Sequence, residues 1–399
     1  MPNNGYEIFP TCRSQMFING VAQESPLNNG LTSYFRWNNV NYPELTVTQF
    51  QNLPETERVA RETAFKSFTE NYLRTYYGNR YPGAEFTFRY MNQARRPNTS
   101  ACPIGGGGPE WKELSTAMYE PHVNACGVVY GGVARIIGGR RAAPTAGYQL
   151  NYQETYNFAT GVWGFGQPLN GSRSESCCVI IGSTLYLLGG MTDGNVTTNK
   201  VEYSTVPTGT WSTGVSLTSA RYGCKATVTG GGILIVGGIL SNGTELQTVE
   251  WFSTATNTWT TKYNYPAKTS FQGIITDSTD LVYVYGGLSS GDYTRSYALS
   301  SNIWQVRASI PLHGKNSRYA FGFCADSAQG RAYAIGGTAI NGTVFNNTDY
   351  FGSGSTVWTA EENLPLATWG NVALSYNNKI YSFGGIANGS PSNKGYVLE

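Results

Sequence analysis

Charge is scarce in this chain. Only 13% of its 399 residues are Asp, Glu, Lys or Arg, and 27 basic against 25 acidic side chains leave a formal net charge of +2. That balance gives no general electrostatic drive toward nucleic acid or an anionic membrane. Histidine is rarer still, at two residues. Long apolar runs are missing: stretches such as Ile233 to Val236 fall far short of the about 20 residues that a membrane-spanning helix needs. The seven cysteines are odd in number and form no CxxC pair or CxxxH pattern, which argues against a disulfide framework and a structural zinc site. The opening residues, MPNNGYEIFPTCRSQMF, hold neither a basic stretch nor an apolar core of the secretory type. Sequons such as those at Asn98, Asn195 and Asn242 follow from the composition, and a reducing cytoplasm is the expected folding compartment.

What the chain does have is glycine (49) and tyrosine (28), with abundant Asn, Thr and Ser. Glycine and β-branched residues weaken helices, whereas Tyr and Thr suit strands. An apolar run ending in two glycines recurs six times: ARIIGG (Gly138-Gly139), LYLLGG (Gly189-Gly190), ILIVGG (Gly237-Gly238), VYVYGG (Gly286-Gly287), AYAIGG (Gly336-Gly337) and IYSFGG (Gly384-Gly385). Successive first glycines are 51, 48, 49, 50 and 48 residues apart. A second mark keeps phase with the first, an aromatic followed seven or eight residues later by tryptophan. The pairs are Tyr156 and Trp163, Tyr203 and Trp211, Trp251 and Trp259, Tyr297 and Trp304, and Tyr350 and Trp358.

From roughly residue 109 to 399 these marks resemble the Kelch repeat family, and the resemblance implies a β-propeller of four-stranded blades. The apolar run fits a strand buried between neighbouring blades, the glycines a tight exit from it, and the aromatics the wider outer space. After Gly385 only fourteen residues remain, with Tyr396 at the aromatic position and no tryptophan following. Trp111 stands 27 residues before Gly138, matching the 26 to 32 residues that separate the other tryptophans from their next glycine pair. The expected fold is therefore mainly β: a six-bladed Kelch-like propeller closed by an N-terminal strand at Trp111, which removes the open sheet edges. Blade four departs from the pattern with a Ser289 to Gly291 loop, and blade five with an insertion before Arg318.

Residues 1–105 lack the repeat and form a separate arm and docking domain, with residues 106–399 as the propeller. Residues 1–53 read as an extended or irregular arm. A helix is expected over about 55–77, started at Pro54, stopped at Gly78, and carrying Phe65, Phe68, Tyr72 and Tyr76 on one face. A strand follows from Ala84 to Met91. The aromatic stripe either packs on the propeller or docks the arm on another protein subunit.

Chemistry is thin. Cys126, Cys177 and Cys324 precede their glycine pair by 12 residues and Cys224 by 13, which places four small thiols on the innermost strands, expected to be inert. Adjacent Cys177 and Cys178 should point to opposite faces. His122 and His313 both precede an innermost strand and should share one mouth. Galactose-oxidase-like propellers hold copper with two histidines and two tyrosines, but here the two histidines fall in non-adjacent blades, so no metal, cofactor or catalytic residue is assigned. No GxSxG, P-loop, HExxH or sialidase box occurs. Arg173 and Arg221 lie 16 residues before their glycines, Arg318 aligns once the insertion is allowed for, and His122 and Thr368 take the same place elsewhere. In Kelch-like propellers that place opens on the channel mouth. His122, Arg173, Arg221, Tyr222, Arg318, Tyr319 and Trp369 are therefore candidates for a cationic, aromatic collar binding a peptide or glycan, with the alternative that the arginines bond loop carbonyls. The functional expectation is a non-enzymatic virion component (a bacteriophage tail, appendage or capsid-surface protein), assembled in the host cytoplasm and displaying its propeller. It rests on low charge, the Tyr/Asn/Gly/Thr content and the long arm. The alternatives are a cytoplasmic Kelch adaptor, against which the N-terminal region lacks likeness to a BTB or F-box domain, and a carbohydrate oxidase or hydrolase.

Overall fold

Each apolar run becomes a strand because both its faces are covered. Ile233, Leu234, Ile235 and Val236 are all fully buried, the pattern of a strand sandwiched inside a sheet that itself lies between two others. The computed structural model describes residues 11–18, 21–23, 54, 56–57, 86–93, 109–141, 149–313, 317–326, 328–352, 355 and 357–399. They divide into two units, Met1–Glu110 and Trp111–Glu399, each described by itself.

In the second unit the first sheet runs Cys126–Tyr130, Val133–Ile137, Gln153–Asn157 and Val162–Phe165, each strand antiparallel to the next. The order repeats at 177–213, 225–262, 273–309 and 322–361. The last sheet takes Val372–Tyr376, Lys379–Phe383 and Gly395–Leu398 from the end of the chain and Trp111–Glu113 from the start, pairing Leu398 with Trp111 and Tyr396 with Glu113. These sheets are blades one to six below. The expected contribution of the Trp111 segment is thus met, and Lys112 to Glu399 (3.1 Å) and Lys394 to Glu113 (2.8 Å) flank the seam. Among the described residues one apolar core fills each interface between consecutive blades, and the core of Ala134, Ile136 and Tyr156 with Val372, Tyr381 and Phe383 joins blade six to blade one.

Near the axis the blades are joined through the backbone. The second glycine of each pair donates its N–H to a carbonyl of the next blade: Gly139 to Arg173 (2.8 Å), Gly190 to Arg221 (2.7 Å) and Gly238 to Thr269 (2.9 Å). Gly287 donates to Arg318 (2.9 Å), Gly337 to Thr368 (2.7 Å), and Gly385 returns to His122 (2.8 Å). The glycines do more than turn the chain. A Cβ on Gly384 would stand 2.5 Å from the His122 carbonyl oxygen, and one on Gly189 2.7 Å from that of Arg221. Two residues past each accepting carbonyl sits a left-handed residue (Asn124, Glu175, Gly223, Phe271, Ala320 and Gly370). Each donates its N–H to the corresponding carbonyl of the preceding blade, at 2.6 to 2.9 Å, and Asn124 donates to Gly370, so the circle returns to its start.

At the rim, tryptophans close the same interfaces. Indole N–H groups of Trp163, Trp211, Trp259, Trp304 and Trp111 donate to the carbonyls of Thr116, Gln167, Val215, Tyr263 and Glu362 in the preceding blade or its outgoing connection. The aromatic partners differ from expectation in three blades: in blade two Tyr203 stands opposite Ser212 rather than Trp211. Strand register sets Phe252 against Trp259 and Phe351 against Trp358, one residue beyond Trp251 and Tyr350.

In the first unit Thr11–Ile18 pairs antiparallel with Val21–Gln23 and with Phe86–Gln93. The expected strand at Ala84 to Met91 is therefore present with shifted ends. Within the expected extended or irregular arm over residues 1–53, residues 11–18 and 21–23 are strands that complete a sheet with it, and the rest of the arm lies outside the described residues. The helix over 55–77, with Phe65, Phe68, Tyr72 and Tyr76, lies outside the described residues apart from a turn in which the Glu57 N–H donates to Pro54 O (3.0 Å). Among the described residues no helix is long and apolar enough to cross a membrane.

Two outcomes follow. Gly384→Ala meets both a left-handed backbone (φ 64°) and the carbonyl of blade one, whereas Gly389→Ala meets only the backbone cost (φ 81°, open space). Denaturant unfolding should show a loss of about 3 kcal/mol or more for the first and about 1 kcal/mol for the second. Equal losses would remove the close approach as the reason for the glycine. Burial pushes the hydroxyls of Tyr297, Tyr333 and Tyr381 up to about 12. The folded chain therefore holds these protons more tightly than the unfolded chain, whose tyrosines titrate near about 10. Their stabilisation is intact below about pH 10 and lost as pH rises from about 10 to 12. Unfolding midpoints followed through that window together with phenolate absorbance should fall as phenolate forms.

Candidate binding face

The chain enters every blade through the same three residues: the one whose carbonyl is clasped by the preceding blade, a linking residue, and the left-handed one. In order they are His122-Val123-Asn124, Arg173-Ser174-Glu175, Arg221-Tyr222-Gly223, Thr269-Ser270-Phe271, Arg318-Tyr319-Ala320 and Thr368-Trp369-Gly370. The linking residues pair with the chain leaving the glycines, as in Tyr222 with Ile239, Tyr319 with Thr338 and Trp369 with Ile386. Backbone groups at this end are thus largely satisfied internally, which makes it a fixed platform.

The cationic collar is corrected by where the side chains go. Arg173, Arg221, Arg318 and His122 are exposed by only 2, 1, 0 and 0%. Each points into its own blade and bonds a carbonyl of its own glycine pair: Arg173 Nη1 to Gly189 O (3.0 Å), Arg221 Nη1 to Gly237 O (3.2 Å), Arg318 Nε to Gly336 O (2.9 Å) and His122 Nδ1 to Gly138 O (2.6 Å). The cause is an acid on the third strand. Arg173 bonds Glu202 (2.5 Å), Arg221 bonds Glu250, Arg318 bonds Asp349 (2.5 Å) and His122 Nε2 lies 3.2 Å from Glu154. Burial lowers the Arg173 and Arg318 pKa values, opposed by Glu202 and Asp349. In blades four and six, where threonine replaces the cation, Arg295 and Tyr396 stand at the register position of the acid. Cation and acid are present or absent together. The spacing of 29 to 32 residues between them is a signal in the sequence that the glycine count alone does not reveal.

The two histidines do not converge. His313 Nε2 lies 2.9 Å from the Asp349 carboxylate it shares with Arg318, whereas His122 belongs to blade one. What remains at this end is aromatic. Tyr222, Tyr319 and Trp369 are half-buried. Phe271, which sequence reading missed because its blade lacks the cation, stands between the two tyrosines with its ring 6.4 Å from each. Tyr222, Phe271 and Tyr319 thus form a row across blades three, four and five. The loops that follow the glycines of blades two and five carry exposed Val196 and Ile340. Arg140 reaches Glu175 (2.6 Å) and Glu245 accepts from Ser270 Oγ (2.5 Å). Burial raises the Glu175 carboxyl, with Arg140 opposing.

Glu250→Gln would leave the buried Arg221 guanidinium facing a neutral amide, and a loss of about 3 kcal/mol is expected. The double change Arg221→Met with Glu250→Leu should recover part of it. Chemical denaturation of both variants checks this, and a double variant less stable than the single one would contradict it.

The Kelch motif matches residues 220–262, which span the clasped Arg221 and the whole of blade three. An F-box/kelch-repeat protein of Arabidopsis thaliana is 29% identical over 128 residues, 31% of this chain. The match spans about a third (32%) of that protein's length. The solved structure of YjhT superposes with a TM-score of 0.59 at 13% identity, covering 70% of this chain and 95% of that one, a likeness of fold. Repeat period, sheet register, these two sequence matches and the shared fold agree that residues 111–399 are a β-propeller built of Kelch repeats.

Proposed function

We propose that the propeller is a non-enzymatic protein-binding module whose contact face is the end bearing Tyr222, Phe271 and Tyr319. The row of three rings on a fixed backbone carries this reading. Rigid aromatic side chains give large contact area at low entropic cost, and they concentrate binding energy when a partner excludes water from them. Because the arginines face inward, the surface offers apolar and hydroxyl contacts rather than guanidinium forks. A peptide with apolar or aromatic side chains suits it better than an acidic one. His122 and His313, the residues of the metal-dependent alternative, are held in separate blades, and both ring nitrogens of buried His122 are taken by Gly138 O and Glu154.

The finer expectation, that the chain is a virion component docked through residues 1–105, keeps only its compositional basis. The matching proteins lend it no support, and Phe65, Phe68, Tyr72 and Tyr76 lie outside the described residues.

Peptides selected from a displayed random library on the full chain should lose at least about tenfold in affinity (about 1.4 kcal/mol) on Tyr222→Ala combined with Tyr319→Ala. Tyr203→Ala, exposed on the outer part of blade two, should leave affinity unchanged. Selected peptides that bind the double variant as tightly as the native chain would overturn the assignment, and enrichment by a glycan array alone would replace the peptide with a sugar.

A further inference from the structure

The thiols on the innermost strands are placed by register, not by counting back from the glycines. Cys126 pairs with Ile137 and Cys177 with Leu188, each the residue before its glycine pair, but in blade three that place belongs to Lys225, opposite Val236. Cys324 lies two residues farther on, opposite Tyr333. The expectation that all four share nearly one position is therefore corrected. Cys224, one residue before Lys225, turns to the face that meets blade two, and its Sγ is 3.7 Å from that of Cys177. Both side chains are buried in the core between these blades. Cys178 points to the opposite face and packs against the core that holds Cys126 of blade one.

We propose that Cys177 and Cys224 form a redox modification site: a hydroperoxide oxidises the pair to a disulfide that staples blade two to blade three. Closing from 3.7 Å to the about 2.05 Å of a disulfide asks the two sulfurs to approach by about 1.7 Å, a movement shared between the two side chains. The roles are unequal. The Sγ–Sγ hydrogen-bond contact with Cys177, helped by the Arg221 and Lys225 charges, lowers the Cys224 pKa against its burial, while burial raises that of Cys177. The Arg221 and Lys225 charges acting on Cys224 make it the proposed attacking sulfur. It takes the distal oxygen of the hydroperoxide, the O–O bond breaks, and the leaving alkoxide or hydroxide is protonated, which leaves a sulfenic acid on Cys224. Cys177 then attacks that sulfur, the S–O bond breaks, and hydroxide departs with the Cys177 proton as water. Two thiols lose two electrons and two protons, and the peroxide is reduced to water plus an alcohol or a second water. The link closes a loop between positions 47 residues apart.

The test uses the full chain treated with hydrogen peroxide. The intact mass should fall by two hydrogens, and a non-reducing tryptic digest should join the peptide holding Cys224 to the one holding Cys177 and Cys178. The link should survive Cys178→Ser and vanish in Cys177→Ser and in Cys177→Ala, either of which serves if the other does not fold. In the native chain oxidation should raise the thermal midpoint by about 5 °C, reversibly with a thiol reductant. An unchanged mass, a link confined to Cys126 and Cys178, or a Cys177–Cys224 link without a higher midpoint would each overturn the proposal.

Discussion

The propeller depends on a short hydrogen bond repeated around its axis, from the N–H of a second glycine to a carbonyl of the following blade. Radial sheets must approach most closely where their first strands meet, and a side chain at the first glycine would sit on the neighbour's peptide group. Removing that side chain lets two backbones share a polar contact in a place that water does not reach. A buried, unsatisfied N–H costs far more than a formed bond gains in net terms, so a displaced blade is penalised at every clasp it breaks. The tryptophan indoles apply the same logic at the rim, with apolar cores between. Inner clasp, core and outer indole together fix both ends of each interface.

Within a blade, the cation that follows the clasp is an internal brace. Arg318 bonds the carbonyls of Gly336, Ala334 and Asn347 as well as Asp349, tying the entry, the second strand and the third into one unit. Buried ion pairs of this kind are weak contributors to net stability but costly to break on one side. They therefore act on which arrangement the blade adopts. With Arg173, Arg221, Arg318 and His122 turned inward, the rings of Tyr222, Phe271 and Tyr319 are left at this end, and the proposed contact face follows from the interior's need for braces.

Architecture was legible in the sequence because it is written six times. A single glycine pair says little, but the period, the matching tryptophan phase and the missing last tryptophan together placed Trp111 at the seam where Leu398 receives it. Side-chain direction was less legible. Arg173 and Arg221 look the same to a position count whether they face solvent or an acid, and the acid lies on a strand 29 residues away. Phe271 was hidden for the converse reason: its blade lacks the cation that marked the others. The offset of Phe252 and Phe351 from the counted aromatics, and of Cys224 from the counted thiols, reflects strand register. A shift of one residue exchanges the two faces of a sheet.

The seam in blade six also sets the order in which the ring can be completed. Lys112 and Glu399, which meet across it, are 287 positions apart. On the ribosome the strand at Trp111 emerges before every other strand of its sheet and cannot pair until Gly395–Leu398 has been synthesised. Five blades can assemble from local hairpins while the sixth waits, so the ring stays open and its edges unpaired until Gly395–Leu398 is available to meet Trp111–Glu113. Closure is then a late, long-range event, and a stalled or truncated chain would present an uncovered edge to its neighbours.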